Sequence, residues 1–243
     1  MMRYTYDLHT HSCLSPCADN DNTPNNLVGM AYLSGIKILA LTDHNSTKNC
    51  PAFFEAAKRY GIIPVAGMEL TTTEDIHVVC LFEKLESAMA FDEYLQKRRV
   101  LIKNRTNVFG DQLILDKDDE IIGTEEHLLP NATTVSLDEA PGLVAEFGGI
   151  CYPAHIDRDA NGIIAILGTL PPTPVFGAVE IRNAEKIPEY KEKYDLSDKT
   201  IIVSSDSHYL TDINESNNFF ELDADPDSPD EVRRELFRLL NKI

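Results

Sequence analysis

No apolar run in this chain approaches the roughly 18 residues that a membrane-spanning helix needs, so no such span is expected within it. The opening stretch MMRYTYDLHTH has no apolar segment of the length a secretory leader carries. A cytoplasmic location with no membrane partner is therefore expected. Cations are scarce: 22 Lys and Arg stand against 40 Asp and Glu, a formal net charge of −18. Such a surface opposes a sequence-independent hold on nucleic acid backbone, which takes clustered Lys and Arg, and so argues against long nucleic acid as a partner. It leaves room for a small anion in a locally positive pocket, and chelated divalent cations would cancel part of the charge. Cysteine is sparse and odd in number, at five (Cys13, Cys17, Cys50, Cys80, Cys151), which argues against a disulfide framework and for reduced thiols. Repeats and low-complexity tracts are missing as well.

What the chain has instead is a regular alternation of short apolar runs and amphipathic stretches. RYTYDLHTH begins as a strand. TPNNLVGMAYLSG reads as a helix with Thr23 as N-cap, Pro24 in the first turn and Gly35 as the stop. IKILALTDH, IIPVAGMEL and IHVVCLF read as strands, with CPAFFEAAKRYG a helix between Pro51 and Gly61 and a longer helical pattern from about Leu85 to Ile102. Residues 103–135 break the rhythm: QLILDKDDEIIG looks like two short strands around an acidic turn, a small β-rich insertion within one domain spanning 1–243. The alternation resumes with GICYPAH, FGAVEI and TIIVSSDSH as strands separated by helices, and SPDEVRRELFRLLNKI closes the chain. This pattern predicts an α/β fold whose parallel sheet is covered by helices. Six or seven such strands suit a barrel, with ligands at the carboxyl ends of the strands.

The polar residues fall at those ends. His9 and His11 end the first strand, Asp43 and His44 the second, Glu69 the third, His155 the strand after the insertion, and Asp206 and His208 the last. An HxH pair on extended chain sends both imidazoles to one side, where a cation can accept two nitrogens. Carboxylates from other strands make a site suited to Zn, Mn or Fe rather than Ca or Mg, because imidazole is the borderline ligand. So many donors are too many for one ion, so two or three neighbouring divalent metals are implied, with a carboxylate bridging.

DLHTHS, LTDHN, GMEL, PAHID and SSDSH resemble, in order, the successive motifs of the PHP (polymerase and histidinol phosphatase) superfamily. The resemblance implies a distorted (β/α)7 barrel holding three metals at its carboxyl end. It assigns His9, His11, Glu69 and Asp206 to the first metal, with Glu69 bridging to a second held by His77 and His155, and His44 and His208 to the third. Family members often place a His or an acid where this chain has Cys17. Cys17 is expected to complete the third site as a thiolate favouring Zn or Fe, with Asp19 and Asp21 as nearby substitutes. Arg158, in HIDR, stands where some family phosphatases carry a phosphate-gripping arginine, though the proline of that pattern is missing. Arg182, in EIRN, is a second candidate for binding substrate.

Asp7 and Asp43 flank ligands and are expected either to orient imidazoles or only to cap local turns. His127 matches no motif and reads as a surface residue, and Cys13, Cys50, Cys80 and Cys151 read as packing thiols. The function implied is hydrolysis of a small phosphorylated substrate by a stand-alone enzyme. A hydroxide bridging two metals would attack phosphorus, Arg158 would neutralise the phosphoryl oxygens, and Asp206 or His208 would protonate the leaving alkoxide. Two other classes fit less well. The amidohydrolases also open on HxH but carry a bridging lysine that no strand end supplies here, and a non-catalytic metal-binding domain would not need so full a donor set.

Overall fold

The structure, a computed structural model, describes residues 1–241. In chain order it contains β1 (Met2–Asp7), α1 (Pro24–Leu33), β2 (Ile38–Leu41), α2 (Cys50–Tyr60), β3 (Ile63–Thr71), β4 (His77–Phe82), α3 (Leu85–Leu95), a single turn α4 (Thr106–Phe109), β5 (Leu113–Leu115) and β6 (Ile121–Thr124). There follow α5 (Ala140–Glu146), β7 (Gly149–Pro153), α6 (Ile163–Leu167), β8 (Ala178–Glu180), α7 (Ile187–Lys193), β9 (Thr200–Ile202), β10 (Phe219–Leu222) and α8 (Pro229–Leu240). The local signals act as read from the sequence. Thr23 accepts a hydrogen bond from Asn26 N with Pro24 at the first turn of α1, and Gly61 ends α2 in the left-handed conformation.

One sheet runs in the order β10-β1-β2-β3-β4-β7, and a separate parallel pair is formed by β8 and β9. The sheet curls toward closure. Ile156 N donates to Glu180 O, linking the end of β7 to β8, and His11 N donates to Ser207 O, linking the chain after β9 back to β1. The result is a distorted α/β barrel. It departs from the expected all-parallel sheet at β4, which is antiparallel to both neighbours, and at β10, an added antiparallel edge beside β1.

Period-two alternation splits each strand between two cores. Ile38, Ala40, Ile63, Val65, Val79 and Leu81 belong to an inner cluster with Tyr4, Tyr6 and Leu8. Leu39, Leu41, Ala66, Met68, Val78, Cys80 and Phe82 pack outward on the helices. The amphipathic α8 lays Val232, Leu236, Phe237 and Leu240 on the inner cluster. Its Arg233 donates to Pro64 O at the start of β3, so α8 covers the end where the strands begin.

The helix expected to reach Ile102 stops at Leu95. Beyond it the backbone pairs instead as bridges, Arg99 with Thr133 and Lys103 with His127. The apolar Val100, Leu101 and Ile102 are exposed, so continued helix had no core to face. The two short strands expected in the insertion are β5 and β6, an antiparallel pair. Among the described residues no helix is long and apolar enough to cross a membrane.

Candidate metal centre

Glu69 sits at the middle of the centre because β3 alternates: Ile63 and Val65 face inward, so Gly67 and Glu69 do too. Gly67 is needed there, since a Cβ would lie 2.5 Å from Cys80 O and 2.8 Å from a Leu81 methyl on β4. The reversal of β4 brings its first residue, His77, opposite Thr71 at the carboxyl end of β3. His44 is bridged to Glu69 just past the end of β2. His155 and Asp206 leave their strands at positive φ, 28° and 53°, a conformation that is costly for residues other than glycine and concentrates at functional sites.

Five imidazoles surround the Glu69 carboxylate. His9 Nε2 lies 3.4 Å from Oε1, His11 Nε2 3.4 Å from Oε2, His44 Nδ1 3.0 Å from Oε2, His77 Nδ1 2.7 Å from Oε1 and His155 Nε2 3.0 Å from Oε1. Asp206 Oδ1 stands 3.5 Å from His9 Nε2 and 3.3 Å from His11 Nε2. Donor atoms converge within 4.8 Å of one another in three groups: His9, His11, Glu69 and Asp206; His44, Glu69 and His77; and His11, His44 and His208. Glu69 is common to the first two groups, as a bridging carboxylate must be, and His44 to the last two.

Divalent metal fits this donor set on geometry. The Nε2 atoms of His9 and His11 face each other at 3.2 Å, so without a cation only a shared proton relieves their lone pairs. Asp206 Oδ1, His44 Nδ1 and His77 Nδ1 are buried without a well-directed hydrogen bond, and a coordinated ion would satisfy them. The electrostatics agree. Burial opposes charge on Glu69, but the neighbouring His77, His9 and His44 imidazoles outweigh it and hold the carboxyl well below its usual range. Burial also opposes charge on His9, where Glu180, Glu69 and Asp206 prevail and raise its pKa well above normal. His11 is lowered by burial and by repulsion from His208 and His44. Adjacent imidazoles driven in opposite directions fit one proton shared between them, which a metal ion would have to displace.

A layer of polar groups fixes these rings. Both Glu180 carboxylate oxygens face His9 Nδ1, at 3.0 and 3.1 Å, and one accepts from His155 N at 3.0 Å. Asp43 acts through Ser15: it accepts from Ser15 Oγ at 2.7 Å, and that hydroxyl lies 3.0 Å from His11 Nδ1. Asp7 holds backbone rather than a ring, accepting from Ser205 N and Asn214 N at 3.1 Å and from His9 N at 3.4 Å. Burial pushes its carboxyl up to about 6 despite those donors. Glu180 and Ser15 were missed in the sequence, yet Glu180 ends an apolar run, FGAVEI, as the recognised donors do.

The remaining candidates divide. Cys17 is exposed at the mouth and is not among the converging atoms. Although the residue is exposed, its thiol is partly desolvated beside the imidazoles of His44 and His208, which outweigh that desolvation and draw it down to about 6. Asp19 and Asp21 are exposed, joined by a hydrogen bond from Asp21 N to Asp19. His127 stands apart, 3.8 Å from Glu125. All five cysteines are free. Arg158 donates to Asp206 Oδ2 at 2.7 Å with its side chain 41% exposed. It borders a cleft of about 440 Å³ lined also by Cys17, His44, His77 and His208, whose outer wall comes from the insertion: Phe109, Leu128 and Pro130. Gly110, at φ 100°, brings that wall onto the first loop, because a Cβ there would meet Pro16 O at 2.1 Å. Arg182 does not border this cleft; it lines a second one beyond Arg158.

Comparison with known proteins gives the following. The PHP domain profile matches residues 7–135, just over half of the chain. A 5'-3' exoribonuclease of Haemophilus influenzae is 36% identical over 164 residues, 66% of this chain and 54% of that protein, so the chain spans about half of that relative's length. Among solved structures, a protein of Bifidobacterium adolescentis assigned as a metal-dependent phosphoesterase superposes with a TM-score of 0.62 at 18% identity, covering 97% of this chain and 96% of the other. Endonuclease Q bound to a 27-mer duplex with an abasic lesion at its active site superposes with a TM-score of 0.58 at 15% identity, covering 96% of this chain and 56% of the other.

The argument against long nucleic acid therefore fails. A relative bears the name exoribonuclease and the same fold holds duplex DNA. A net charge of −18 sums over the whole surface, including acids turned inward on the donor cluster, whereas a substrate meets only the local field at the mouth.

Proposed function

The chain belongs to the PHP domain family, and from that premise we propose that it is a metal-dependent phosphoesterase acting on nucleotide phosphoesters, nucleic acid among them. The reading rests above all on Glu69, a single buried carboxylate ringed by five imidazole nitrogens at the floor of an open cleft. The residues that would hold metal are His9, His11, Glu69 and Asp206 for one ion, Glu69, His77 and His155 with His44 for a second, and His11, His44 and His208 for a third that Cys17 joins from the rim. Divalent ions there would supply Lewis acidity, making water nucleophilic at neutral pH and drawing charge from the phosphoryl oxygens. The nitrogen and carboxylate donors favour Zn, Mn or Fe, and a thiolate from Cys17 tilts the third position toward Zn or Fe.

The chain's own groups divide the remaining work. Arg158 faces the cleft while tied to Asp206, so its fork can take phosphoryl oxygens without leaving its anchor. Burial opposes charge on Asp206, but the His9 and His11 imidazoles outweigh it, so it stays an anion while anchoring that guanidinium. With the third position empty, His208, 21% exposed at the cleft, is the group able to hand a proton to the leaving oxygen; a metal on its free nitrogen would take that role away. Phe109, Leu128 and Pro130 give the leaving group an apolar wall suited to a nucleobase, so the insertion selects substrate.

The test combines elemental analysis of Mn- or Zn-loaded protein with a panel of phosphomonoesters and short oligonucleotides. Two or three ions per chain and hydrolysis are expected, both lost in the His9→Ala, Glu69→Gln double variant, with activity down at least about 10³-fold. Phe109→Ala should reorder the preferred esters at unchanged metal content. Activity that survives the double variant, or wild-type protein that takes up no ions, would end the assignment.

A further inference from the structure

Beyond Arg158 the surface opens into a second cleft, of about 630 Å³, whose lining includes Arg158, Arg182, Lys186, Asn214, Asn218 and Asp157. On a chain with nearly two acids per base, three cations to one carboxylate is a local reversal of sign. That one carboxylate is already committed: Asp157 accepts from Arg182 N at 2.8 Å and Asn183 N at 3.1 Å, and Lys186 Nζ stands 3.8 Å from it. Asp157 thus builds the turn after β8 rather than repelling an anion. Lys186 Nζ also donates to Asp157 O at 3.1 Å, and Asn214 and Asn218 both donate to Val203 O at 3.3 Å, so walls and floor are fixed. The Arg182 guanidinium has no ion pair among the described residues. Arg158 lines both clefts, so an anion in the second is one side chain away from the phosphoester at the metal centre.

We propose that this second cleft binds the backbone phosphate adjacent to the scissile one, with Arg182 and Lys186 as its cationic contacts, so that the substrate is a nucleic acid strand rather than a lone phosphomonoester. Phosphate contacts of this kind position a strand without reading its sequence. The inference rests on the phosphoesterase reading above for its chemistry, and on the cleft alone for its site.

The experiment compares Mn-loaded wild type with the Arg182→Ala, Lys186→Ala double variant on a 5'-phosphorylated single-stranded hexanucleotide and on p-nitrophenyl phosphate. The preference for the hexanucleotide, as a ratio of kcat/KM values, should fall about tenfold or more through KM, as loss of charged hydrogen bonds predicts. Its dependence on log salt should become shallower by about 0.7 for each cation removed. Arg182→Lys should keep the salt slope. A ratio and slope equal to wild type would overturn the proposal. If wild type cleaves neither compound, the hydrolase reading fails by itself. The cleft is then judged by fluorescence anisotropy with a labelled hexanucleotide: a Kd weakened about tenfold in the double variant upholds it, and an equal Kd overturns it.

Discussion

The two halves of the barrel hold the same centre by different means. From β2 through β3 and β4 to β7 the strands are joined by backbone ladders of four to six residue pairs, and these carry His44, Glu69 and His77 to the rim. Around β8 and β9 the ladders shrink to one short pair, and the few backbone bonds across the seam are reinforced by side chains. Leu8 N donates to Ser204 Oγ, Val203 N to Tyr6 OH, Ser205 N to Asp7, and His155 N to Glu180. A ladder tolerates changes of side chain so long as the backbones can approach. A seam that leans on a few side chains weakens when one of them is removed.

That contrast can be broken at the seam first. Asp7→Ala strands two amide donors, Ser205 N and Asn214 N, and should cost about 2–6 kcal/mol at about 1–3 per unsatisfied group, read by urea unfolding of metal-free protein. On the ladder side, Gly67→Ala drives a methyl to within 2.5 Å of Cys80 O; parting β3 from β4 should cost about 1–3 kcal/mol and displace His77. The same unfolding assay measures the stability loss, and metal titration detects the shift of His77. If seam substitutions such as Asp7→Ala prove neutral while Gly67→Ala unfolds the protein, backbone pairing alone closes the barrel.

Glu180→Gln sharpens the comparison by leaving the seam nearly isosteric while removing the charge facing His9. Metal affinity should fall about 10–100-fold, the usual effect of losing a group that orients a ligating histidine, with little change in melting temperature; calorimetric titration with Zn reads it. The smallest effect is expected where the insertion meets the barrel. Burial raises the Glu125 carboxyl, but Lys48 and Arg99 outweigh it and hold it below its usual range. A carboxyl depressed on folding stabilises fully above its unfolded pKa, about 4.3, and that stability is lost as pH falls through the lower folded value. Glu125→Gln should therefore cost about 1–2 kcal/mol at neutral pH. The gap from wild type should close in acid, as followed by unfolding midpoints from pH 7 downward.

How much was legible in the sequence follows the same division. The first-half motifs DLHTHS, LTDHN and GMEL are compact because each sits at the end of one laddered strand, and a donor next to an apolar run is visible in a one-dimensional reading. The PHP domain profile likewise matches only residues 7–135. Glu180 carried the same local signal but no histidine beside it, and its partner His9 is 171 positions away. The role of Ser15 as a link between Asp43 and His11 depends on a turn whose shape no spacing rule encodes.

By itself the sequence determined the alternation of elements, the donor types and the strand ends they occupy, because periodicity and capping are local and a donor's chemistry belongs to its residue. Only the tertiary structure decided that β4 runs backwards to deliver His77, that Glu180 fixes His9, and that Arg158, Arg182 and Lys186 meet in a cleft beside the centre. Those outcomes depend on which strands become neighbours in space, and the inner core and the seam settle that jointly across the whole chain.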